Sequence, residues 1–222
     1  MPTVADIAKL LQARAGRRHA AARRLPALLL MSDETRLPDP LAALARLPRG
    51  SGVILRHYGV PAREALARAL VAKAGTLGIR VLVGVDARLA LRLACAGLHI
   101  PEARARAPLA LGPMLRRKSK IVTIAAHSLS AVFRAARQGA TAAILGPVFT
   151  TASHQGGIPL GPLRFARFCR KSPIPVYAVG GIGPKTAPRL KNSGAVGFAG
   201  IGAIGLPRGE RARGMARRRA LV

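Results

Sequence analysis

Eight short apolar runs recur along this chain, and longer Ala-, Leu- and Arg-rich stretches with helical spacing separate them. Short apolar runs bounded by turn residues predict buried strands, and their alternation with helical stretches predicts parallel βαβ units. The predicted strands are 27–31, 52–55, 80–84, 97–100, 121–125, 142–145, 175–179 and 196–200. The clearest predicted helices are 61–77, 86–95, 128–138 and 185–193.

Eight consecutive units predict an α/β fold closed into a single (β/α)₈ TIM barrel, and 222 residues suit one such domain. An open doubly wound sheet is the alternative, but no Gly-x-Gly-x-x-Gly follows the first predicted strand. The stretch 102–117 contains Pro108 and Pro113, so we expect it to be mostly loop. Residues 1–24 predict a basic helical extension that ends in a loosely attached segment, which leaves the barrel domain at 25–222.

The composition indicates an aliphatic core without membrane spans or disulfides. Half of the residues are hydrophobic, only 3% are aromatic and Trp is absent. No apolar stretch reaches the roughly 18 residues that span a bilayer, and no signal-peptide pattern opens the chain, so a cytoplasmic location is expected. Cys95 and Cys169, both in predicted helical segments, lack metal-site spacing and are expected to be buried, inert thiols.

The charge is strongly positive, with 37 Lys and Arg against 8 Asp and Glu and a formal net charge of +29. Such a balance raises nucleic acid as a partner. However, the Arg residues are scattered along helical segments and clustered at both ends, and no interleaved aromatic residues offer a stacking platform. Specific nucleic-acid binding is therefore not expected, whereas a positive field suits phosphorylated small molecules.

Glycine-rich or hydroxyl-rich segments lie at the ends of the last four predicted strands. They are Ala125–Ser128, Gly146–His154, Val179–Ile182 and Gly197–Ile204. Backbone N–H groups exposed where a strand gives way to a loop or helix are well placed to hold a phosphate. In a barrel, these turns share the C-terminal mouth, so the pattern predicts a phosphorylated ligand there.

These motifs, in this order, resemble the thiamine phosphate synthase family, including its TenI-like thiazole tautomerase branch. The resemblance runs from about Leu28 to Ile204 and is strongest in the second half; earlier matches include Leu55-Arg56 and Gly97–Ile100. It implies a (β/α)₈ barrel in which pyrophosphate leaves a pyrimidine methyl group and a thiazole phosphate nitrogen bonds to that carbon. It also implies that Mg²⁺ and basic side chains stabilise the departing pyrophosphate.

The resemblance assigns most of a substrate site to this chain. It implies that Arg56 contacts pyrophosphate and that Thr151 and Ser153 contact thiazole or pyrophosphate oxygens. The positions expected to hold the thiazole phosphate through backbone N–H groups are Gly180, Gly181, Ile201 and Gly202.

The pyrophosphate and metal positions depart from the family pattern. Tyr58 and His154 stand where the family has Lys, although His154 remains a candidate pyrophosphate contact. Gly84-Val85 replaces an Asn-Asp pair, and Arg104 stands at a second Asp that ligates magnesium. Arg cannot be a magnesium ligand, so the family's metal site is not matched.

Two carboxylates and several cations are candidate replacements. Asp86, one place late, and Glu102 are the substitute metal ligands. Alternatively, the excess of Arg could neutralise pyrophosphate without a metal, with Arg88, Arg104 and His154 as the candidates.

His127 follows the fifth predicted strand and is expected at the barrel mouth, where an imidazole can take and return a proton near neutral pH. In the tautomerase branch the matching His moves a proton on a thiazole carboxylate phosphate, so a tautomerase is the alternative function.

His99 is expected to be structural. A third hypothesis is a barrel that binds phosphate or RNA without catalysis. We favour the synthase, with phosphorylated thiazole and pyrimidine substrates, and a homo-oligomer is an expectation from the family.

Overall fold

The computed structural model describes residues 2–109, 120–151 and 158–205. Eight parallel strands close into a barrel in which each strand pairs with its neighbours in sequence and β8 pairs with β1. This confirms the predicted TIM barrel. The strands are β1 (Leu28–Met31), β2 (Gly52–Leu55), β3 (Arg80–Gly84), β4 (Gly97–Ile100), β5 (Ile121–Ala126), β6 (Ala142–Leu145), β7 (Val176–Val179) and β8 (Gly197–Gly200).

The described helices lie before, between and after the strands. They are α1 (Val4–Arg18), α2 (Pro40–Leu44), α3 (Arg63–Leu77), α4 (Ala87–Arg92), α5 (Leu129–Arg137), α6 (Gly161–Lys171) and α7 (Gly202–Gly205). Short 3₁₀ helices cover Ala20–Arg24, Arg104–Arg106 and Ala187–Leu190.

Two predicted helices, 86–95 and 185–193, differ from the observed structure, and the stretch 102–117 is expected to be mostly loop. The predicted helix 86–95 ends at Arg92, and Cys95 lies beyond it because the chain turns at Ala94, where φ is +52°. Within 185–193 the regular structure is only the 3₁₀ turn Ala187–Leu190. In 102–117 the described part holds one 3₁₀ turn, and the rest of that prediction lies outside the described residues.

The N-terminal segment packs tightly against the barrel. Helix α1 begins with a capping box between Thr3 and Asp6, and its buried Ile7 and Leu11 join the cluster that holds Phe165. The Arg18 guanidinium donates to the Cys169 carbonyl oxygen at 3.1 Å.

The residues after α1 close the base of the barrel. Ala22 and Leu25 are buried in the cluster that also contains Tyr177 and Val196. The Tyr177 hydroxyl donates to the Pro26 carbonyl oxygen at 2.6 Å. The expectation of a loosely attached segment is therefore wrong, because these apolar residues have a buried place in the fold. A domain boundary at residue 25 remains a prediction.

The barrel interior is filled at its base and open at the C-terminal ends of the strands. Ala22 and Leu25 form an N-terminal plug at this base. The same cluster contains four fully or nearly fully buried strand residues, which are Leu29, Ile54, Leu82 and Ile144. The open end is therefore where a ligand can enter. Among the residues that the structure describes, no helix is long and apolar enough to cross a membrane.

Both cysteines are expected to resist thiol reagents until the protein unfolds. Burial raises the pKa of the Cys169 thiol to about 12 and also raises the pKa of Cys95, so neither forms the reactive thiolate at neutral pH. Titration with a chromogenic disulfide should find no fast-reacting thiol in the native protein and two in guanidinium chloride. A fast-reacting native thiol would contradict this, and the single variants Cys95→Ser and Cys169→Ser would identify it.

Candidate active site

A cavity of about 850 Å³ opens at the C-terminal ends of the strands. Its wall combines apolar residues with a few polar groups, as ligand pockets usually do. The glycine-rich turns after β7 and β8 form one part of the wall, and Arg56 after β2 forms another. His99 and Glu102 also line this space.

Two consecutive glycines end β7 in a conformation and a space that exclude side chains. Gly180 and Gly181 have φ values of +92° and +65°, which L side chains rarely adopt. A Cβ on Gly180 would lie 2.7 Å from the Pro147 Cα, and one on Gly181 would lie 2.6 Å from the Phe149 Cβ. The main chain after β7 can therefore lie directly against the turn after β6, with its backbone facing the cavity.

His127 is held at the cavity wall by contacts on both its backbone and its ring. Its backbone N–H donates to the Glu102 Oε2 at 2.7 Å, and the ring Nδ1 lies 2.6 Å from the Gly146 carbonyl oxygen. Because a carbonyl can only accept, Nδ1 carries a proton, and in the neutral ring the lone pair is on Nε2. The ring can thus offer an acceptor at Nε2.

Arg56 shares one carboxylate with a second arginine. The Asp33 Oδ2 forms an ion pair with Arg36 and lies 3.8 Å from an Arg56 guanidinium nitrogen. Partial burial alone would raise the pKa of Asp33, but hydrogen bonds from Arg36 and Thr35 outweigh it and hold the pKa well below its usual range. One carboxylate thus orients two guanidiniums and leaves a net positive charge at the cavity wall.

The backbone of Arg56 is fixed by buried polar groups. Its N–H donates to the Ser32 Oγ at 2.8 Å, and the same oxygen lies 2.9 Å from the His57 Nδ1. Ser32 and His57 are both buried, and the His57 Nε2 has no hydrogen-bond partner in the described part of the chain. These contacts hold the end of β2 against the end of β1, so that Arg56 lines the cavity.

The family model described as thiamine monophosphate synthase matches residues 17–204, which include all eight strands and every described residue of the cavity wall. The chain belongs to the thiamine monophosphate synthase family. The resemblance drawn from the sequence motifs is thereby confirmed.

Relatives in this family are similar over most of the chain. The thiamine-phosphate synthase of Chlorobium luteolum is 31% identical over 184 residues, which cover 81% of this chain and 85% of that protein. The thiamine-phosphate synthase of Roseiflexus castenholzii is 32% identical over 176 residues, covering 76% of this chain and 75% of that protein. The solved thiamine phosphate pyrophosphorylase of Pyrococcus furiosus has the same fold, with a TM-score of 0.66, 20% identity and coverage of 85% and 91% of the two chains.

Most of the site residues predicted from sequence lie together at the mouth. The cavity wall includes Arg56, Glu102, His127, Thr151, Gly180, Gly181, Ile201 and Gly202. Ser153 and His154 lie outside the described residues. Asp86 is not part of the cavity wall; its Oδ1 caps α4 by accepting from the Leu89 N–H at 2.8 Å.

The described carboxylates do not fit the magnesium ion that the family resemblance implies. Both oxygens of Glu102 are engaged, Oε2 by the His127 N–H and Oε1 by Arg134 at 3.2 Å. Asp33 is taken by Arg36, and Asp86 caps a helix away from the cavity. No group of three His, Cys, Asp or Glu residues that could hold a metal ion occurs within 2–109, 120–151 and 158–205.

Two arginines of the cavity wall, Arg36 and Arg106, were not predicted from the sequence. A local signal exists for the first. The Asp33 Oδ1 accepts from the Thr35 and Arg36 N–H groups, and a short polar residue followed by such a turn is a recognisable pattern. Arg88 and Arg104, named from the sequence as candidate pyrophosphate contacts, are not part of the described wall.

His99 is expected to make the protein less stable in mild acid. Burial, and secondarily the Arg56 charge, lowers the pKa of His99 from its ordinary value near 6.5 to about 3. Below pH 6.5 the His99 side chain binds a proton in the unfolded chain, whereas in the folded chain it binds one only near pH 3. The unfolding free energy therefore decreases as the pH falls from about 6.5 to about 3. The loss should approach about 1.4 kcal/mol per pH unit for this one group.

Urea unfolding at pH 7.0, 6.0 and 5.0 checks this expectation. His99→Gln keeps hydrogen-bonding capacity toward the Thr123 hydroxyl, 3.0 Å from the His99 Nδ1, but does not titrate. The unfolding free energy of the wild type should fall more steeply with acid than that of His99→Gln. Parallel pH profiles would show that His99 does not carry the effect.

Proposed function

We propose that this protein is a thiamine-phosphate synthase, a transferase that joins a pyrimidine methyl pyrophosphate to a thiazole phosphate and releases pyrophosphate. One observation carries the proposal: a single cavity contains both the glycine turns after β7 and β8 and the guanidinium of Arg56 after β2. The two features suit the two anionic substrates. The similarity to proteins named thiamine-phosphate synthase supports the same activity.

The thiazole phosphate is assigned to the turns after β7 and β8. Gly180 and Gly181 let the backbone approach the ligand closely, while Ile201 and Gly202 extend the wall where α7 begins. Backbone N–H groups at such turns bind phosphate oxygens without a charged side chain. Thr151, at the edge of the described residues, is assigned to the thiazole or pyrophosphate oxygens.

The pyrimidine pyrophosphate is assigned to the side of the mouth near β1 and β2. A guanidinium is planar, stays charged at every physiological pH and offers paired N–H donors to phosphate oxygens. Arg56 is therefore suited to hold pyrophosphate before and after the bond breaks. Its stabilisation grows as negative charge develops on the leaving oxygen, which is the condition for lowering the barrier.

The reaction exchanges one bond for another. The bond between the pyrimidine methylene carbon and the pyrophosphate oxygen breaks, and its electron pair leaves with the pyrophosphate. The thiazole nitrogen donates its lone pair to the same carbon, which gives the thiazolium cation of thiamine phosphate. No proton needs to leave the thiazole nitrogen, so the protein's contribution is orientation and charge stabilisation.

His127 is assigned to the substrate contact on the β5 side of the mouth. The condensation does not require it as a base, whereas a tautomerase would. The relatives reported above are named synthases, which favours condensation over the tautomerase alternative.

A product assay tests the proposal. Purified protein receives both substrates with Mg²⁺ present, and thiamine phosphate is quantified against reactions that lack either substrate. We expect product that depends on both. Absence of product, combined with isomerisation of thiazole carboxylate phosphate that disappears in His127→Ala, would establish the tautomerase instead. Absence of both activities would leave a ligand-binding barrel.

A further inference from the structure

The place where the family resemblance puts metal ligands is occupied by a protein cation. The Arg63 guanidinium donates through one nitrogen to the Gly84 carbonyl oxygen at 2.6 Å, and another lies 3.8 Å from the Asp86 Oδ2. The Arg63 side chain is only 14% exposed. A permanent positive charge this close to Asp86 opposes binding of Mg²⁺ at that carboxylate.

The aromatic ring of Tyr58 fills the space beside it. A Cβ on Gly84 would lie 2.7 Å from the Tyr58 Cε1 and 2.9 Å from its Oη. The Arg63 Cζ lies 5.7 Å from the centroid of the same ring. The Tyr58 ring and the Leu55 carbonyl oxygen, which would lie 2.9 Å from that Cβ, therefore leave no room for a side chain at residue 84, where the family has Asn.

The second family position is also cationic. Arg104 stands where a metal-ligating Asp is implied, and it is exposed at the start of the 3₁₀ turn Arg104–Arg106. Glu102 is the one carboxylate in the described part of the cavity wall, and its oxygens are already bonded to the His127 N–H and Arg134. Neither position offers Mg²⁺ the unengaged carboxylate that it prefers.

Guanidiniums line the cavity in the same region. Arg36 and Arg56 share Asp33, so this cluster keeps one uncompensated positive charge. Arg106 adds a third guanidinium to the wall. Arg36 and Arg56 follow β1 and β2, and Arg106 follows β4, so the cavity wall presents several of the fixed cations that a pyrophosphate group needs.

We infer that this enzyme holds and releases pyrophosphate with guanidinium groups, those of Arg36, Arg56 and Arg106, and does not require a divalent cation. The inference rests on the proposed condensation. The bonds that break and form are unchanged; the leaving oxygen and its electron pair are stabilised by N–H donors of fixed charge instead of by a metal.

The first experiment separates this inference from the proposed function. Protein stripped of metal by chelation is assayed with both substrates in excess EDTA and, in parallel, in millimolar Mg²⁺. We expect kcat/KM values in the two conditions to agree within threefold. Product formed only with Mg²⁺ would overturn the inference and leave the function standing, whereas no product in either condition would overturn the function.

The second experiment measures pyrophosphate binding and needs no turnover. Isothermal titration of inorganic pyrophosphate into the metal-free protein should show saturable binding that Arg36→Ala weakens tenfold or more. Arg137→Ala, which removes an equal charge from the exposed end of α5, should leave the affinity unchanged. Binding that appears only after Mg²⁺ is added, or that Arg137→Ala weakens as much as Arg36→Ala, would contradict the inference.

Discussion

Arg56→Ala is expected to lower kcat/KM for the condensation by roughly 10²-fold to 10³-fold, the usual loss when one group that stabilises developing charge is removed. The guanidinium of Arg56 lines the cavity, and only Asp33, at 3.8 Å, shares its charge in a described ion pair. Without it, Asp33 would face the leaving pyrophosphate with less compensation. Steady-state kinetics with the pyrimidine pyrophosphate as varied substrate should show the loss mainly in kcat.

Two further variants make the result specific. Arg56→Lys keeps the charge but not the paired donors, so it should recover only part of the lost rate. Arg137→Ala should retain full activity. The backbone N–H bond from Arg56 to the Ser32 Oγ survives both substitutions at residue 56, so the Tm should change little. Undiminished activity in Arg56→Ala would show that the pyrophosphate lies elsewhere.

Gly181→Val is expected to abolish thiazole phosphate binding and to destabilise the fold by about 3 kcal/mol or more. Gly181 has a φ of +65°, and a Cβ there would lie 2.6 Å from both the Phe149 Cβ and the Thr150 carbonyl oxygen. A branched side chain must therefore push the turn after β7 away from the turn after β6. The backbone that we assign to the phosphate would move with it.

A nearby glycine provides the matched control. Gly183 has an ordinary φ, and a Cβ there would meet nothing within 4 Å. Gly183→Ala should keep both affinity and stability. Calorimetric titration with thiazole phosphate and thermal unfolding measure the two effects, and the Tm of Gly181→Val should fall by roughly 10 °C. Wild-type affinity in Gly181→Val would remove the turn after β7 from the phosphate site.

The barrel could be predicted from the sequence because its strands are buried on both faces and therefore read as unbroken apolar runs. The ends of the helices could not be predicted as well. Ala94 continues the helical pattern in composition, yet it takes a left-handed conformation that ends the helical segment before Cys95. The burial of Ala22 and Leu25 could not be predicted either, because it depends on tertiary packing at the barrel base and no local sequence pattern indicates it.

The candidate site, like the fold, could be predicted from the sequence only in part. Gly180 and Gly181 predict a tight turn after a strand. Since the turns that follow the strands of a barrel share its C-terminal mouth, their position there follows from the topology. For Arg36 the turn after Asp33 is a local signal, but the ion pair with Asp33 that accompanies its place at the cavity wall cannot be read from the sequence. The contact between Tyr58 and Gly84 is likewise invisible in sequence, since it joins the ends of two different strands.

The plug at the base of the barrel has a consequence for biosynthesis. Ala22 and Leu25 are made long before Tyr177 and Val196, which share their buried cluster. Contacts of such long sequence separation form slowly. On the ribosome, the apolar face of α1, with Ile7 and Leu11, must remain uncovered until Phe165 and Phe198 emerge. The nascent chain is therefore most exposed to aggregation just before β8 is made, when a chaperone would have the greatest effect.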